Sequence, residues 1–107
     1  MEYIGNIIYD ELLKEKGIEL VIFGAGRYGK RIYDFLDMNG MADNIKYFCD
    51  KNEMLWGRKS EGIEIVDPMQ VIASKAAYHF LVGGRYVKEM LMLLQENEVE
   101  KIHLLFI

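Results

Sequence analysis

A single cysteine, Cys49, rules out an internal disulfide, and with no CxxC pair and no histidine cluster the chain lacks the ligand spacing of a zinc site. Long apolar runs are missing too. None approaches the roughly 18 to 20 residues of a membrane span. The first residues, MEYIGN, have no basic stretch leading into an apolar one, the pattern of a secretory leader, so the expected location is cytoplasmic. Basic excess is also absent: 13 Lys and Arg stand against 17 Asp and Glu, a net charge of −4. The cations are scattered, and duplex DNA or RNA calls for a basic stripe, so nucleic acid is not expected as a partner.

What remains is the balance of an ordinary globular protein, 51% hydrophobic and 28% charged over 107 residues, enough for one domain with one core. Ile4, Ile7, Ile8 and Leu12 recur at helical spacing between Tyr3 and Lys16, which predicts an amphipathic helix closed by Gly17 and weakened at its start by Gly5. The pattern then changes. Leu20 to Phe23 is continuously apolar, as a strand buried on both faces must be. Ile32, Phe35 and Leu36 mark a helix that stops at Asn39-Gly40, and "IKYFCD" (Ile45 to Asp50) reads as a second strand. Lys51 to Gly62 is polar and predicts a surface loop. Ile63 to Val66 is a third strand, with Asp67 as N-cap and Pro68, the one proline, at the first position of a short helix. Tyr78 to Gly83 is a fourth strand, Tyr86 to Glu96 a helix, and "KIHLLFI" a fifth strand.

Strands alternating with helices predict a parallel sheet covered on both faces through right-handed crossovers. The expected fold is a three-layer α/β Rossmann-like, doubly wound sheet of five strands in the order 3-2-1-4-5. No internal repeat or low-complexity tract divides it, so residues 1–107 are read as one domain.

Gly24, Ala25, Gly26, Arg27, Tyr28 and Gly29 spell G-x-G-x-x-G directly after the first strand and at the opening of a helix. There the first glycine allows a tight turn, the second lets a pyrophosphate reach the backbone, and the third lets helix and strand pack closely. The helix N-terminus adds free N–H groups and partial positive charge. Asp50 closes the second strand 21 residues after Gly29, near the roughly 20 expected for an acidic residue that binds ribose hydroxyls. Its charge favours NAD over NADP, while Lys51, Arg58 and Lys59 nearby keep NADP open. Gly83-Gly84-Arg85 follows the fourth strand at the switch point of the sheet, either as a wall against which a ligand lies or as a turn with a solvated arginine. The alternative for the whole motif is a tight turn in a fold whose nucleotide site is vacant.

"VIFGAGRYGKRIYDFL", "YFCDKN", "WGRKSEGIEIVDP" and "YHFLVGGRYVKEMLMLL" together resemble the small NAD(P)-binding Rossmann-like domains of bacterial polysaccharide and nucleotide-sugar biosynthesis. Those domains accompany sugar dehydratases, sugar O-acyltransferases, glycosyltransferases and methyltransferases. The resemblance implies that Gly24, Gly26, Arg27, Tyr28 and Gly29 line phosphates, Asp50 the ribose, and Gly83 with Gly84 the neighbouring wall; Ala25 in the turn and Lys51 beside Asp50 complete the candidate cofactor-binding residues. The implied ligand is NAD(P) or the nucleotide of a UDP-sugar. The large catalytic domain of those enzymes is missing from this sequence, so the chain is expected to be a fragment or accessory module. A non-catalytic interaction or regulatory module is the second reading.

No nucleophile, base and orienter stand together in the sequence, and no residue is assigned a catalytic role. His79 and His103 fall within strands, where packing explains them. Cys49 is expected to pack as a small apolar residue. Met90, Leu91, Met92, Leu93 and Leu94 make the last helix apolar almost all round. With Tyr3, Ile7 and Ile8 they suggest a homodimer or a docked domain, and Trp56 reads as a lid or an interface anchor.

Overall fold

The computed structural model describes the backbone of Glu2–Ile4 and residues 17–106 in full. Its elements in chain order are β1 (Glu2–Ile4), β2 (Glu19–Phe23), α1 (Arg27–Met38), β3 (Ile45–Cys49), β4 (Lys59–Ser60), β5 (Ile63–Val66), α2 (Pro68–Ile72), β6 (Tyr78–Val82), α3 (Val87–Glu96) and β7 (Ile102–Leu105). The sheet order is β1-β7-β6-β2-β3-β5-β4, with every pairing parallel except β4 to β5. The five strands expected from the sequence are β2, β3, β5, β6 and β7, and they stand in the expected order 3-2-1-4-5. A short strand is added at each edge.

Strand alternation builds the three layers. Leu20 and Ile22 of β2 face Ile32 and Leu36 of α1, together with Phe48, Ile65 and Leu81. Val21 and Phe23 face the other way, onto Phe80, Val82, Val71 of α2 and Leu94 of α3. The central strand is thus enclosed on both sides, and each such side chain contributes about 1.5 to 3 kcal/mol on burial. Asp67 caps α2 by accepting the Met69 N–H at 2.9 Å, ahead of Pro68.

Two expectations are corrected. Tyr3 and Ile4 do not begin a helix: Glu2–Ile4 pairs in parallel with His103–Leu105. Tyr and Ile are strand formers, Gly5 is a poor helix former, and β7 would otherwise leave its ladder groups open. The rest of that predicted helix, with Ile7 and Ile8, lies outside the described residues. The Lys51–Gly62 segment is also more ordered than a simple loop. It holds a helical turn at Glu53–Leu55, then the β4–β5 hairpin. Glu61 and Gly62, at φ +53° and +77°, supply the two left-handed positions of a tight two-residue turn. Lys30 of α1 reaches the tip of that hairpin, 2.7 Å from the Glu61 carboxylate and 3.1 Å from Asp34. These two carboxylates hold the exposed ammonium's pKa above its ordinary value. Among the described residues, no helix is long and apolar enough to cross a membrane.

Candidate functional site

The glycine turn joins β2 to α1, and its three glycines have different physical reasons. Gly24, at φ +101°, turns the chain while its N–H donates to the Cys49 carbonyl at 2.6 Å. A side chain on Gly29 would collide with the Gly24 carbonyl oxygen, so only glycine lets α1 sit this close to the strand. Gly26 is different. Its φ is −89°, and a Cβ built on it would meet nothing within 4 Å. No packing inside the described protein requires glycine there. Gly26 is also the N-cap of α1 and offers no side-chain cap, and the first turn carries no acidic residue. The N–H groups at the start of α1 therefore open onto uncluttered space beside the backbone.

Asp50 fixes that turn from the neighbouring strand end. Its Oδ2 accepts the Ala25 N–H at 2.9 Å, and its Oδ1 accepts the Asn52 N–H at 2.8 Å. Its backbone carbonyl accepts the Trp56 indole N–H at 2.7 Å. Trp56 is therefore tied to the site's supporting loop while 39% of it stays exposed. Each carboxylate oxygen retains a second acceptor position, so Asp50 can hold the turn and still receive a ribose hydroxyl.

Tyr28 crosses from α1 to the ends of β6 and β7. Its hydroxyl donates to the Leu105 carbonyl at 3.0 Å. Its ring lies on Gly83 and Gly84, where an added Cβ would stand 2.5 Å and 2.7 Å from ring atoms. From the opposite face, the Met90 methyl of α3 reaches the first glycine, 3.0 Å from a Cβ placed on Gly24.

Between these groups lies a cleft of about 770 Å³ at the carboxyl ends of β2, β3 and β6, where doubly wound sheets take ligands. Gly24, Gly26, Arg27, Tyr28, Gly29, Asp50, Lys51 and Gly83 line it, whereas Ala25 and Gly84 do not. Ala25 instead serves the site through its N–H, and Gly84 lies under the Tyr28 ring. Sequence reasoning missed Phe23, Arg31, Asn52, Tyr86, Glu89 and Met90, and it left Arg85 undecided between ligand wall and solvent. Arg31 was readable in principle, since it lies one helical turn beyond Arg27 on the same face. The α3 residues were not, because their helical pattern reads equally as core.

Four cations, Arg27, Arg31, Lys51 and Arg85, surround the cleft against two carboxylates, Asp50 and Glu89. In a chain of net charge −4 this is a local reversal of sign, and a concave site concentrates its effect on an anion. Cys49, buried beneath Asp50, is no nucleophile: burial, with Asp50 and Asp67 adding to it, pushes its thiol pKa well above the ordinary value. His79 and His103 meet through Nδ1 and Nε2 at 2.8 Å with nearly parallel rings, and neither lines the cleft. Burial and the neighbouring His79 lower the His103 pKa to about 4. Among the described residues, no group of His, Cys, Asp and Glu side chains is arranged to hold a metal ion.

No protein-family model matches the sequence, and no curated protein matches it. Solved structures do. A crystal structure of RSP, a Rex-family repressor, superimposes with a TM-score of 0.61 at 22% identity over 94% of this chain and 53% of that one. RSP in complex with β-NADH gives 0.60 at 22% identity, covering 94% and 54%. RSP in complex with β-NAD⁺ and operator DNA gives 0.64 at 22% identity, covering 95% and 50%. The fold is Rossmann-like. The chain spans about half the length of these structures, and none of them speaks for polysaccharide biosynthesis or for a UDP-sugar.

The exclusion of nucleic acid drawn from net charge is overturned by the same finding. A protein of this fold, about twice as long, is a repressor solved on operator DNA. The charge of a segment matching half of such a protein does not decide whether DNA is a partner of the whole.

Proposed function

We propose that this chain is a non-catalytic regulatory module that binds NAD(H) in the cleft above the glycine turn, as part of control rather than of sugar chemistry. The observation that carries the binding reading is Gly26: the one glycine of the turn with no steric or dihedral need among the described residues, set under an uncapped helix start and among cations. A pyrophosphate needs that combination, close access to backbone N–H groups with positive charge around it.

In this reading the N–H groups at the start of α1 hold the pyrophosphate, with Arg27 and Arg31 balancing its charge. Asp50 accepts a ribose hydroxyl with the lone pairs left over from Ala25 and Asn52. The same carboxylate repels a 2′-phosphate, which favours NAD(H) over NADP(H) despite Lys51 beside it. The regulatory reading is supported by the fold's resemblance to Rex-family repressors, RSP having been solved with β-NADH and with β-NAD⁺ and operator DNA. By the same likeness, a longer protein carrying this module would have DNA as its partner.

Calorimetry and amide NMR with NAD⁺, NADH, NADP⁺ and UDP-glucose test the binding reading. The expected result is binding of NAD⁺ or NADH with shifts at Gly24 to Gly29, abolished by Gly26→Asp. Absence of any response at those amides sinks it. Preferential binding of UDP-glucose would return the chain to nucleotide-sugar metabolism.

A further inference from the structure

A dinucleotide laid over the carboxyl ends of a doubly wound sheet needs room on both sides of the glycine turn. In this protein the two sides differ. Towards β3 the path is open, and Asp50, Lys51 and Asn52 line it. Towards β6 the cleft continues over Gly83, Arg85 and Tyr86, but a side chain of the turn itself forms its floor there. The Tyr28 ring rests on Gly83 and Gly84, with no room for even a methyl group beneath it, and the Tyr28 hydroxyl is tied to the Leu105 carbonyl at 3.0 Å. Of the two glycines that the sequence offered as a ligand wall, Gly83 keeps an edge on the cleft and Gly84 does not. Their missing side chains make room for Tyr28, and neither Gly84 nor Leu105 is reached by the cleft.

We propose that Tyr28 is the specificity-determining residue of this site and that it restricts the ligand to one nucleoside diphosphate. The proposal rests on the nucleotide-binding reading above and narrows it. The adenosine diphosphate portion supplies the contacts, while the second nucleoside meets the Tyr28 ring where a smaller residue would leave a slot. A second ring system gains nothing from the site unless Tyr28 leaves the two glycines and gives up its bond to Leu105. The group attached beyond the diphosphate stays over the α3 rim, beside Arg85 and Tyr86, in solvent-exposed surroundings.

The full chain is titrated with ADP-ribose, NAD⁺ and NADH, and the same is done for Tyr28→Val and Tyr28→Phe after circular dichroism confirms their folds. The expected result is that the natural chain binds ADP-ribose and the two dinucleotides within about threefold of one another. Tyr28→Val should then favour the dinucleotides over ADP-ribose by about tenfold. Tyr28→Phe, which keeps the ring on the glycines, should leave the ratio within about threefold of the natural one. A natural chain that binds NAD⁺ or NADH about tenfold or more above ADP-ribose overturns the proposal and leaves the nucleotide reading standing. So does a Tyr28→Val ratio that does not move. Failure of all three ligands to bind overturns both. The natural chain's own ratio decides the matter even if Tyr28→Val does not fold.

Discussion

Asp50 and Ala25 are joined across two strands' ends: the Ala25 N–H donates to Asp50 Oδ2 at 2.9 Å, and the sister oxygen takes the Asn52 N–H at 2.8 Å. The acidic residue that the sequence marks as a ribose ligand is therefore also a brace for the glycine turn. Asp50→Ala should lower stability even with no nucleotide present, by about 1 to 3 kcal/mol, because two backbone donors lose a charged acceptor. Urea denaturation without ligand measures this. An unchanged midpoint would show that the brace contributes nothing, and a loss of affinity in the same variant could then be assigned to ribose contact alone.

Gly29 and Gly26 should separate fold from ligand. Gly29→Ala drives a methyl into the Gly24 carbonyl and should destabilise by about 2 kcal/mol or more, the range of overpacking in a closed site. Gly26→Asp places a side chain in open space at an uncapped N-terminus, where a negative charge stabilises helices by about 0.3 to 1 kcal/mol. Its melting temperature should hold or rise while nucleotide affinity falls. Thermal melts of both variants beside a titration of Gly26→Asp check the contrast. A Gly26→Asp protein that binds as tightly as the natural one would move the phosphate site elsewhere.

How much of this was legible beforehand follows from the range of the interactions. The order of β5, β3, β2, β6 and β7 was readable because each strand carries its own apolar run and the crossover rule fixes the hand. The glycine turn was readable because its causes are local: Gly24 needs its positive φ, and Gly29 lies within five residues of the carbonyl it spares. Tyr28 on Gly83, Gly84 and Leu105 was not, since those contacts close separations of up to 77 residues that no local pattern encodes. Likewise Met90 read as core, although it reaches Gly24 at the floor of the cleft. The edge strand at Glu2–Ile4 was misread because three residues carry too little periodicity to compete with a helical pattern that begins among them. It was the open edge of β7 that decided their pairing.

Cys49 should be inert in the native protein. It is wholly buried, and burial beside Asp50 and Asp67 raises its thiol pKa, so the thiolate that reacts with disulfide reagents is scarce and screened from them. Reaction with Ellman's reagent at pH 8 should be slow in buffer and complete within minutes in denaturant. Fast stoichiometric labelling of the folded chain would mean that the β3 end opens readily, and with it the Asp50 brace.

The histidine pair predicts a specific pH dependence of stability. His103 is 2% exposed, and burial together with the adjacent His79 lowers its pKa to about 4 from an ordinary 6.5. The unfolded chain therefore takes up this proton first as pH falls, so protonation favours unfolding between those two values. The stabilisation is fully present above pH 6.5 and is lost progressively down to pH 4, a change of about 3 kcal/mol for a shift of this size. The 2.8 Å contact between Nδ1 of His79 and Nε2 of His103 needs a neutral acceptor nitrogen, which opposes protonation of both rings at once. Urea midpoints measured from pH 7 to pH 4.5 should fall for the natural chain, and His103→Gln should flatten most of that slope whatever its own stability at pH 7. A natural chain equally stable across that interval would mean that His103 gains its proton in the folded state as easily as in the unfolded one.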